Sequence, residues 1–321
     1  MCSERSGSNL ITKIMNGHKD ICGPSTKHIL NPLARNLFRY GDIKNPLNWE
    51  VLLGDVHHLL SVDFSVWKKS FSLEELRDLV SPGDVGGLVK GIFREEAFAN
   101  GKTNLFIKEN QIYRFAMFLG KYFPEARFVY QTRDPRDMAL SWKKNPSHRG
   151  GVVEAARQWR TDQQQSLMNF SVLSEEGRAH FLKYENLIMD PMRETSSLLH
   201  FLGLPADEKI LDFNRDPITL ANAQKISAWG NLQRGVIADN FAKFKAVLTD
   251  DEIRAVETIC FYEMRALEYQ TVLVDSPDSM MSAKKLEEMH AEDSLRIRFE
   301  PEPGVEENMA AKKAFYTRSL V

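Results

Sequence analysis

Short apolar runs alternate with longer amphipathic stretches along most of the chain. Apolar residues at positions 10, 11, 14 and 15 form one helical stripe, and Asp84–Ala99 carries a second helical pattern. Strand-like runs occur at three places, Asn104–Ile107, Arg127–Thr132 and His180–Lys183. Because helical stretches separate these runs, the pattern predicts an α/β fold in which a parallel β-sheet is flanked by helices.

Capping signals predict where two of the helices begin. Ser72 followed by Glu75 forms a capping box, in which the two side chains satisfy backbone N–H groups at the helix start. Asp134 before Pro135 combines a favoured N-cap residue with the residue preferred at the first helical position. Since the second signal directly follows a strand-like run, it predicts a strand–turn–helix unit.

Longer-range changes in composition predict how the chain is divided. Residues of about 35–101 read as helical, which indicates a helical insertion between the first and second strands. From Asp275 onward, large apolar residues become few and Ser, Pro and Glu more frequent. We therefore expect one domain over 1–274 and a peripheral or partly disordered tail over 275–321, with one helix near Ala283–Met289.

Composition and charge narrow the range of functions. The 42 basic and 44 acidic residues give a net charge of -2, which excludes a strong positive field for nucleic acid. No apolar run reaches the roughly 18 residues that a membrane helix needs, and the opening residues lack a hydrophobic signal segment. Three widely spaced cysteines suit a reducing compartment, so a cytoplasmic protein is expected. Only four residues precede the turn at Arg5. A strand usually takes about 5–6, so the first strand is a stump or the true start lies upstream.

A polar segment near the beginning of the chain has the features of an anion site. Residues 5–9 read Arg-Ser-Gly-Ser-Asn and stand just before the first helical stripe. A glycine lets the backbone approach a ligand, helix N–H groups favour an anion, and Arg5 adds a fixed charge. The sequence contains no G-x-x-x-x-G-K-[ST] string of the Walker A type, which weighs against ATP or GTP hydrolysis.

A second polar segment follows the strand-like run that ends at residue 132. Arg133 stands at the end of that run, and Ser141 follows eight residues later. With Pro135 as the first helical residue, Asp134, Asp137 and Ser141 share one helix face. Arg133 and Ser141 are therefore expected to converge on a second phosphate at the carboxyl edge of the sheet.

These segments resemble the motifs of the sulfotransferase family that uses 3′-phosphoadenosine 5′-phosphosulfate (PAPS). Residues 5–10 resemble its 5′-phosphosulfate loop, R/K-S-G-[ST]-[TN]-L, and residues 133–141 resemble its 3′-phosphate motif, R-D-P-R-D-x-x-x-S. Tyr184 begins a Tyr-Glu-Asn-Leu string similar to the stretch whose Tyr contacts adenine, and the pair at 234–235 resembles one that closes over the 3′-phosphate. The resemblance runs from residue 3 to about 270 and implies a fold related to P-loop kinases. The donor-binding residues that it implies are Arg5, Ser6, Gly7, Ser8, Asn9, Arg133, Ser141, Tyr184, Arg234 and Gly235.

Sulfuryl transfer needs positive donors at the bridging oxygen of the leaving nucleotide and a base at the acceptor hydroxyl. Arg5 and Lys108, which ends a strand-like run, are the donors we select, and both are expected at the same carboxyl edge. Asn110 stands where cytosolic small-molecule sulfotransferases carry a histidine. Residues 27–30 instead resemble the E-L-H-L-L of some bacterial and polyketide-associated sulfotransferases, which makes His28 the candidate base and leaves Glu109 in reserve.

The sequence therefore predicts a PAPS-dependent sulfotransferase that acts on a hydroxyl of a small or mid-sized acceptor, such as a carbohydrate, lipid or metabolite. The histidines lack metal-ligand spacing, so no metal is expected. Two other interpretations stay open at this point. One is a P-loop-like kinase, and the other is a catalytically silent nucleotide-binding or interaction module, which the short first strand and Asn110 would favour.

Overall fold

The elements of the fold are short strands connected by helices. The computed structural model describes residues 1–296 and 299–319. Its strands are β1 (Ile21–Cys22), β2 (Asn104–Leu105), β3 (Phe128–Thr132) and β4 (Ala179–Lys183). Its α-helices are α1 (Ser8–Gly17), α2 (Leu30–Asn36), α3 (Pro46–Ser61), α4 (Leu73–Leu79), α5 (Val85–Ala99), α6 (Ala116–Tyr122), α7 (Pro135–Lys143), α8 (Gly151–Glu175), α9 (Tyr184–Met189), α10 (Pro191–Leu202), α11 (Pro217–Lys225), α12 (Phe244–Val247), α13 (Asp250–Ala266), α14 (Ala283–Arg296) and α15 (Pro303–Thr317). Short 3-10 helices include Ile112–Phe115 and Ser227–Arg234.

Two compact units share these elements. The first unit contains residues 1–8, 127–202 and 237–302. Its strands β3 and β4 are parallel and paired along their whole length, from Phe128 opposite Ala179 to Thr132 opposite Lys183. Cys2 forms an isolated parallel bridge with Gln131 of β3. Because β3 and β4 end at paired residues, the residues that follow both strands emerge at the same carboxyl edge.

A helical layer supports the strands of the first unit. Helix α8 packs against α7 and α13. Large side chains that are almost fully buried fill this core, including Tyr130, Met138, Trp159, Leu182, Val256 and Met264. Burial of each such side chain contributes about 1.5–3 kcal/mol, so the core fixes the helix α7 that starts beside the carboxyl edge.

The second unit contains residues 9–126, 203–236 and 303–319 of the described chain. Its parallel strands β1 and β2 form two pairs, Ile21 with Asn104 and Cys22 with Leu105. Helix α3 packs against α4 and α15, and α2 also contacts α15. The buried side chains of this unit include Ile14, Met15, Leu33, Leu52, Val56, Leu88, Ile92 and Phe315.

The α/β class with parallel strands is confirmed, and local capping signals predicted the helix starts well. Ser72 and Glu75 make both hydrogen bonds of the capping box that begins α4. Asp134 accepts a hydrogen bond from a backbone N–H group at the start of α7, whose first residue is Pro135. Strand β2 is shorter than predicted because β1 offers only two residues for pairing. The helices α3, α4 and α5 lie within the predicted insertion.

The chain after residue 275 is more structured than the sequence predicts. Helix α14 begins at Ala283, as expected, but continues to Arg296, and α15 is an additional helix. Ala311 and Phe315 of α15 have no exposed surface. The expectation of a peripheral or disordered tail is therefore wrong for α15, because these two side chains belong to the core of the second unit. The domain boundary at residue 274 stays a prediction.

The three cysteines are all buried, and none of these described residues takes part in a disulfide. Burial raises the pKa of Cys22 to about 12 and also raises that of Cys260. Both thiols are therefore protonated at neutral pH. Within residues 1–296 and 299–319, no helix combines the length and the apolar character that a membrane crossing requires.

Candidate active site

The N-terminal loop, residues 5–9, leads directly into α1, which begins at Ser8. Arg5 and Gly7 have φ angles of +61° and +85°, in the left-handed region that favours glycine. A Cβ atom on Gly7 would lie 2.3 Å from a ring carbon of Tyr184. Gly7 is therefore required both by the backbone conformation and by the closeness of the tyrosine ring.

Strand register places Arg133 beside Tyr184. Each residue directly follows one of the paired strands β3 and β4, and the guanidinium carbon lies 4.4 Å from the ring centroid. Arg133 donates from Nη1 to the carbonyl oxygen of Arg5 at 3.1 Å and from Nη2 to that of Asn240 at 3.2 Å. Arg133 thus connects the N-terminal loop with the loop that contains Asn240.

Two buried polar atoms of this group have no hydrogen-bond partner among the described residues, namely Ser6 Oγ and Arg133 Nε. An unsatisfied buried donor costs about 1–3 kcal/mol, so such atoms are unusual in a folded protein. The loop itself is held in place, because the Ser6 carbonyl accepts a hydrogen bond from Gln131 Nε2 at 3.0 Å. A hydroxyl and a guanidinium N–H next to a helix start are groups that phosphate oxygens bind. These residues therefore fit a phosphate-bearing ligand.

Ser141 contacts Arg5. Arg5 Nε donates to Ser141 Oγ at 2.9 Å, although the sequence assigned these residues to different phosphates. Burial lowers the pKa of Arg5, and the like charge of Arg133 lowers it further. The guanidinium groups of Arg5 and Arg133 thus repel each other in largely buried surroundings. This arrangement favours a ligand with several negative charges.

The other charged residues of segment 133–141 support the structure. Arg136 Nη2 lies 2.6 Å from an Asp134 oxygen, and Arg136 Nη1 lies 2.6 Å from a Glu257 oxygen. All three side chains are largely buried. Because these carboxylates satisfy Arg136, this arginine holds α7 and α13 together and is not a candidate for ligand binding.

The loop over residues 237–244 completes the group, and the sequence did not assign Asn240 to the site. Asp137 accepts hydrogen bonds from the backbone N–H groups of Ala242 and Phe244 at 2.5 and 3.0 Å. Asn240 Nδ2 donates to Tyr184 Oη at 2.7 Å. Tyr184 is only 3 % exposed, so its ring lies mainly against protein atoms. Its contact with adenine stays a prediction.

The two alternative bases, His28 and Glu109, are hydrogen-bonded to each other in the second unit. His28 follows β1 and Glu109 follows β2, and parallel pairing of these strands brings both segments to one edge. His28 Nδ1 lies 3.3 Å from Glu109 Oε2, and Glu109 Oε1 accepts from the backbone N–H of Leu30 at 3.4 Å. Since a carboxylate only accepts, Nδ1 carries the proton and Nε2 keeps its lone pair.

The backbone and surroundings of His28 fix this pair. His28 has a φ angle of +58°, and its N–H donates to Thr26 Oγ1 at 3.0 Å. The ring centroid lies 5.5 Å from that of Phe64. Burial lowers the pKa of His28, the charges of Lys312 and Lys108 act in the same direction, and the hydrogen bond to Glu109 opposes them. The imidazole is therefore neutral at pH 7 and can accept a proton at Nε2.

Lys108 precedes Glu109 and is half-buried in the irregular segment after β2. It does not end the strand as expected, because β2 stops at Leu105. The Oδ1 atom of Asn110 is buried without a hydrogen-bond partner among the described residues. Within residues 1–296 and 299–319, His, Cys, Asp and Glu side chains form no group of three suited to a metal ion.

The remaining predicted donor-binding residues differ in their exposure. Ser8 is buried at the first position of α1, and Asn9 is half-buried at the second. Arg234 is exposed at the end of the 3-10 helix Ser227–Arg234, and Gly235 follows with a φ angle of +73°. The sequence singled out Arg234 and Gly235 but not Asn240, which follows five residues later.

A family model described as the sulfotransferase family matches residues 1–208. This chain belongs to the sulfotransferase family. The matched region of this sulfotransferase contains the N-terminal loop, Arg133, Ser141 and Tyr184, as well as His28. No curated protein sequence matches the chain significantly.

Two solved structures share the fold of this sulfotransferase. The sulfotransferase domain from the curacin biosynthetic pathway is 18 % identical, with a TM-score of 0.55, over 84 % of this chain and 97 % of that one. The sulfotransferase domain from the Synechococcus PCC 7002 olefin synthase is 17 % identical, with a TM-score of 0.53, over 81 % and 92 %. At such identities the likeness concerns the fold alone, and the expected P-loop-like sulfotransferase fold is confirmed.

Proposed function

We propose that this sulfotransferase transfers a sulfuryl group from PAPS to a hydroxyl of a small or mid-sized acceptor. The observation that carries the proposal is the pair of buried, unpartnered polar atoms, Ser6 Oγ and Arg133 Nε, beside two arginines at a strand edge. A donor with phosphates at both the 3′ and the 5′ position would satisfy both atoms and neutralise both charges.

In this proposal the residues of the first unit hold the donor, which supplies the sulfuryl group. Arg5, Ser6 and the N–H groups at the start of α1 bind its 5′ end. Arg133 and Ser141 bind the 3′-phosphate, and the Asn240 loop keeps Arg133 and Tyr184 in position. The exposed Arg234 and the adjacent Gly235 are proposed to cover the 3′-phosphate, since an exposed side chain is free to move.

The proton of the acceptor hydroxyl is assigned to His28 Nε2. Glu109 accepts from Nδ1 and would stabilise the imidazolium that forms when the proton arrives. Glu109 is then a positioning residue for His28, so the two alternatives drawn from the sequence become one unit. Lys108, with Arg5, is proposed to stabilise the negative charge that develops on the oxygen of the leaving nucleotide.

Two other functions lead to different measurements. A kinase would bind ATP more tightly than adenosine 3′,5′-bisphosphate, whereas a silent interaction module would bind neither or bind without transfer. The buried thiols are consistent with the further proposal of a cytoplasmic location.

Calorimetry with adenosine 3′,5′-bisphosphate and with ATP tests the donor assignment first. We expect measurable binding of the bisphosphate and much weaker binding of ATP, because ATP has no 3′-phosphate for Arg133. A transfer assay with sulfur-labelled PAPS and a panel of carbohydrates, phenols, lipids and hydroxy acids then tests catalysis. Tight bisphosphate binding without transfer to any acceptor would favour the silent module, and preference for ATP would overturn the donor assignment.

A further inference from the structure

The peptide unit between Lys27 and His28 is held at both of its polar groups. Its carbonyl oxygen, that of Lys27, accepts a hydrogen bond from Asn308 Nδ2 at 3.2 Å. Its N–H group, that of His28, donates to Thr26 Oγ1 at 3.0 Å. Rotation of this peptide plane would break both hydrogen bonds. Because the orientation of the plane sets the φ angle of His28, the two bonds together maintain the backbone conformation of this residue.

The backbone conformation of His28 is unfavourable for a residue with a Cβ atom. Its φ angle of +58° lies in the left-handed region, where such residues persist only when their surroundings enforce it. The bond to Thr26 is local and belongs to a type of turn that a hydroxyl stabilises only weakly. Asn308, in contrast, is 281 positions away from Lys27 along the chain, so its bond is a tertiary contact. We therefore look to Asn308 for the constraint that keeps His28 in this conformation.

Asn308 lies on the buried face of the C-terminal helix α15. Asn308, Ala311 and Phe315 are spaced three and four residues apart and therefore share one side of the helix. Ala311 and Phe315 have no exposed surface, and Asn308 is only 1 % exposed. A buried amide is unfavourable unless it is hydrogen-bonded, so packing alone would favour an apolar residue at this position. The bond to the Lys27 carbonyl accounts for the asparagine.

Helix α15 also packs on the segment that contacts the imidazole ring. A Cβ atom on Gly304, one turn before Asn308, would lie 3.2 Å from the Asp63 carbonyl oxygen and 3.7 Å from the Phe64 Cα atom. The Phe64 ring centroid lies 5.5 Å from that of His28. The helix thus acts on His28 from two sides, through the preceding peptide group and through the aromatic neighbour of its ring.

We propose that Asn308 is a positioning residue for the general base of this sulfotransferase. By fixing the peptide group before His28, it keeps Nδ1 on Glu109 and leaves Nε2 as the atom that accepts the proton. The proposal rests on the function proposed above, in which His28 acts on the acceptor hydroxyl. Asn308 lies outside residues 1–208, which the family model matches, so the family match itself gives this residue no role.

NMR of the full chain, labelled with ¹⁵N in histidine alone, tests the proposal without any need for turnover. The chain has 8 histidines, and the signals of His28 are those that disappear in His28→Ala. The amide signal reports hydrogen exchange at the held peptide group, and the imidazole nitrogen shifts report which tautomer is present. In the wild type we expect slow exchange of the His28 N–H relative to an unstructured peptide, and one tautomer with the proton at Nδ1.

The variant Asn308→Leu keeps the branched shape of the side chain and removes its N–H₂ group. Exchange of the His28 N–H should become at least about tenfold faster, because the Lys27 carbonyl is left buried without its donor, and both imidazole tautomers should appear. In the transfer assay kcat should fall at least about tenfold, the effect of a displaced catalytic group, with the KM for PAPS unchanged. Asn308→Gln keeps the amide and should recover part of both losses.

Asn222→Ala is the matched control. Asn222 is also fully buried in the second unit, and its Nδ2 donates to a backbone carbonyl of another segment, that of Val66, at 2.9 Å. Its loss should lower the temperature of thermal unfolding but leave the tautomer of His28 and the exchange of its N–H unchanged. Thermal unfolding of every variant separates a local effect on His28 from a general loss of stability.

Three results would overturn the proposal. The first is rapid exchange of the His28 N–H or a mixture of tautomers in the wild type, a result that needs no variant. The second is a folded Asn308→Leu with wild-type exchange and tautomer. The third is the same change of both signals in Asn222→Ala, which would assign the effect to stability. Altered His28 signals in Asn308→Leu with wild-type kcat would instead contradict His28 as the base and leave the contact of Asn308 with its peptide group intact.

Discussion

The group around Arg133 and the pair formed by His28 and Glu109 use charge in different ways. In the first unit, the positive charges come from the guanidinium groups of Arg5 and Arg133, and backbone carbonyls hold Arg133 in place. In the second unit, an imidazole whose pKa is lowered by burial is held by one carboxylate. The first group is therefore suited to bind a ligand of constant charge, and the second to accept a proton.

This difference has a consequence for measurement. Changes in the arginine group should alter donor affinity, with little dependence on pH. Changes in the His28 pair should alter turnover and its pH profile, with little effect on donor affinity. The experiments below separate the two groups, and a mixed result in any of them would show that the division of labour is wrong.

The largest effect is expected from His28→Ala. Loss of a general base lowers kcat by roughly 10²–10⁴-fold, while affinity for adenosine 3′,5′-bisphosphate should stay unchanged. Steady-state kinetics and calorimetry measure the two quantities. His58→Ala serves as the control, because His58 is an exposed histidine of the same unit. Wild-type turnover in His28→Ala would show that another residue is the general base.

Arg133→Ala should give the next largest effect, on binding. Loss of a charge-assisted hydrogen bond weakens adenosine 3′,5′-bisphosphate by about 1.5–3 kcal/mol in calorimetry. Arg133→Lys should recover part of the loss, since it keeps the charge without the planar donors. Arg193→Ala is the matched control, because Arg193 is 65 % exposed in the same unit. An unchanged affinity in Arg133→Ala would reject the phosphate assignment.

The pH profile of turnover gives a smaller but more diagnostic effect. Because burial lowers the pKa of His28, the acid limb of kcat should lie below the usual histidine value of about 6.5. Glu109→Gln removes an interaction that raises this pKa, so the limb should move to lower pH, and kcat should fall because Nδ1 loses its carboxylate. Lys108→Gln should move the limb to higher pH. If the wild type, Glu109→Gln and Lys108→Gln had the same acid limb, the pH profile would not report the titration of His28.

The lowered pKa of His28 also makes the stability of the fold depend on pH. A histidine whose pKa is lower in the folded than in the unfolded state binds its proton more weakly when folded. Stability should therefore fall as the pH decreases below about 6.5, and His28→Ala should reduce this slope. Chemical unfolding at a series of pH values measures it, and an unchanged slope would contradict the lowered pKa.

Ser141→Ala should give the smallest effect. It removes one neutral hydroxyl, worth about 0.5–1.5 kcal/mol, from the group that contacts Arg5. Binding of 3′-phosphorylated nucleotides should weaken by this amount, whereas adenosine 5′-phosphosulfate should be almost unaffected. Equal losses for both nucleotides would mean that Ser141 acts through Arg5 on the whole loop.

Much of the first unit was predictable from the sequence because its signals are local. These signals lie within ten residues of one another. They are the strand β3, the N-cap residue Asp134 and the first helical residue Pro135, and each is favoured at its position by its own local preference. The position of Arg133 follows from those elements. Its contact with Asn240 does not, because that contact depends on a loop that Asp137 anchors more than 100 residues away in sequence.

The second unit was harder to predict for a similar reason. Strand β1 has two residues, too few to show an alternating pattern, so the pairing that brings His28 to Glu109 left no signal. Helix α15 was missed because the Glu- and Pro-rich residues 300–304 at its start indicated a disordered tail. Phe315 is fully buried in a helix that packs on α2 and α3, and no local property of the tail reveals this packing.

Each unit contains a buried thiol that can report when that unit unfolds locally. Cys260 belongs to the first unit and Cys22 to the second, and both stay protonated and shielded while their surroundings are folded. An alkylating reagent reacts with a thiolate that solvent can reach, so labelling has to wait for local unfolding. Mass mapping of the two labelled peptides over time would therefore record two separate opening rates from one unmodified protein.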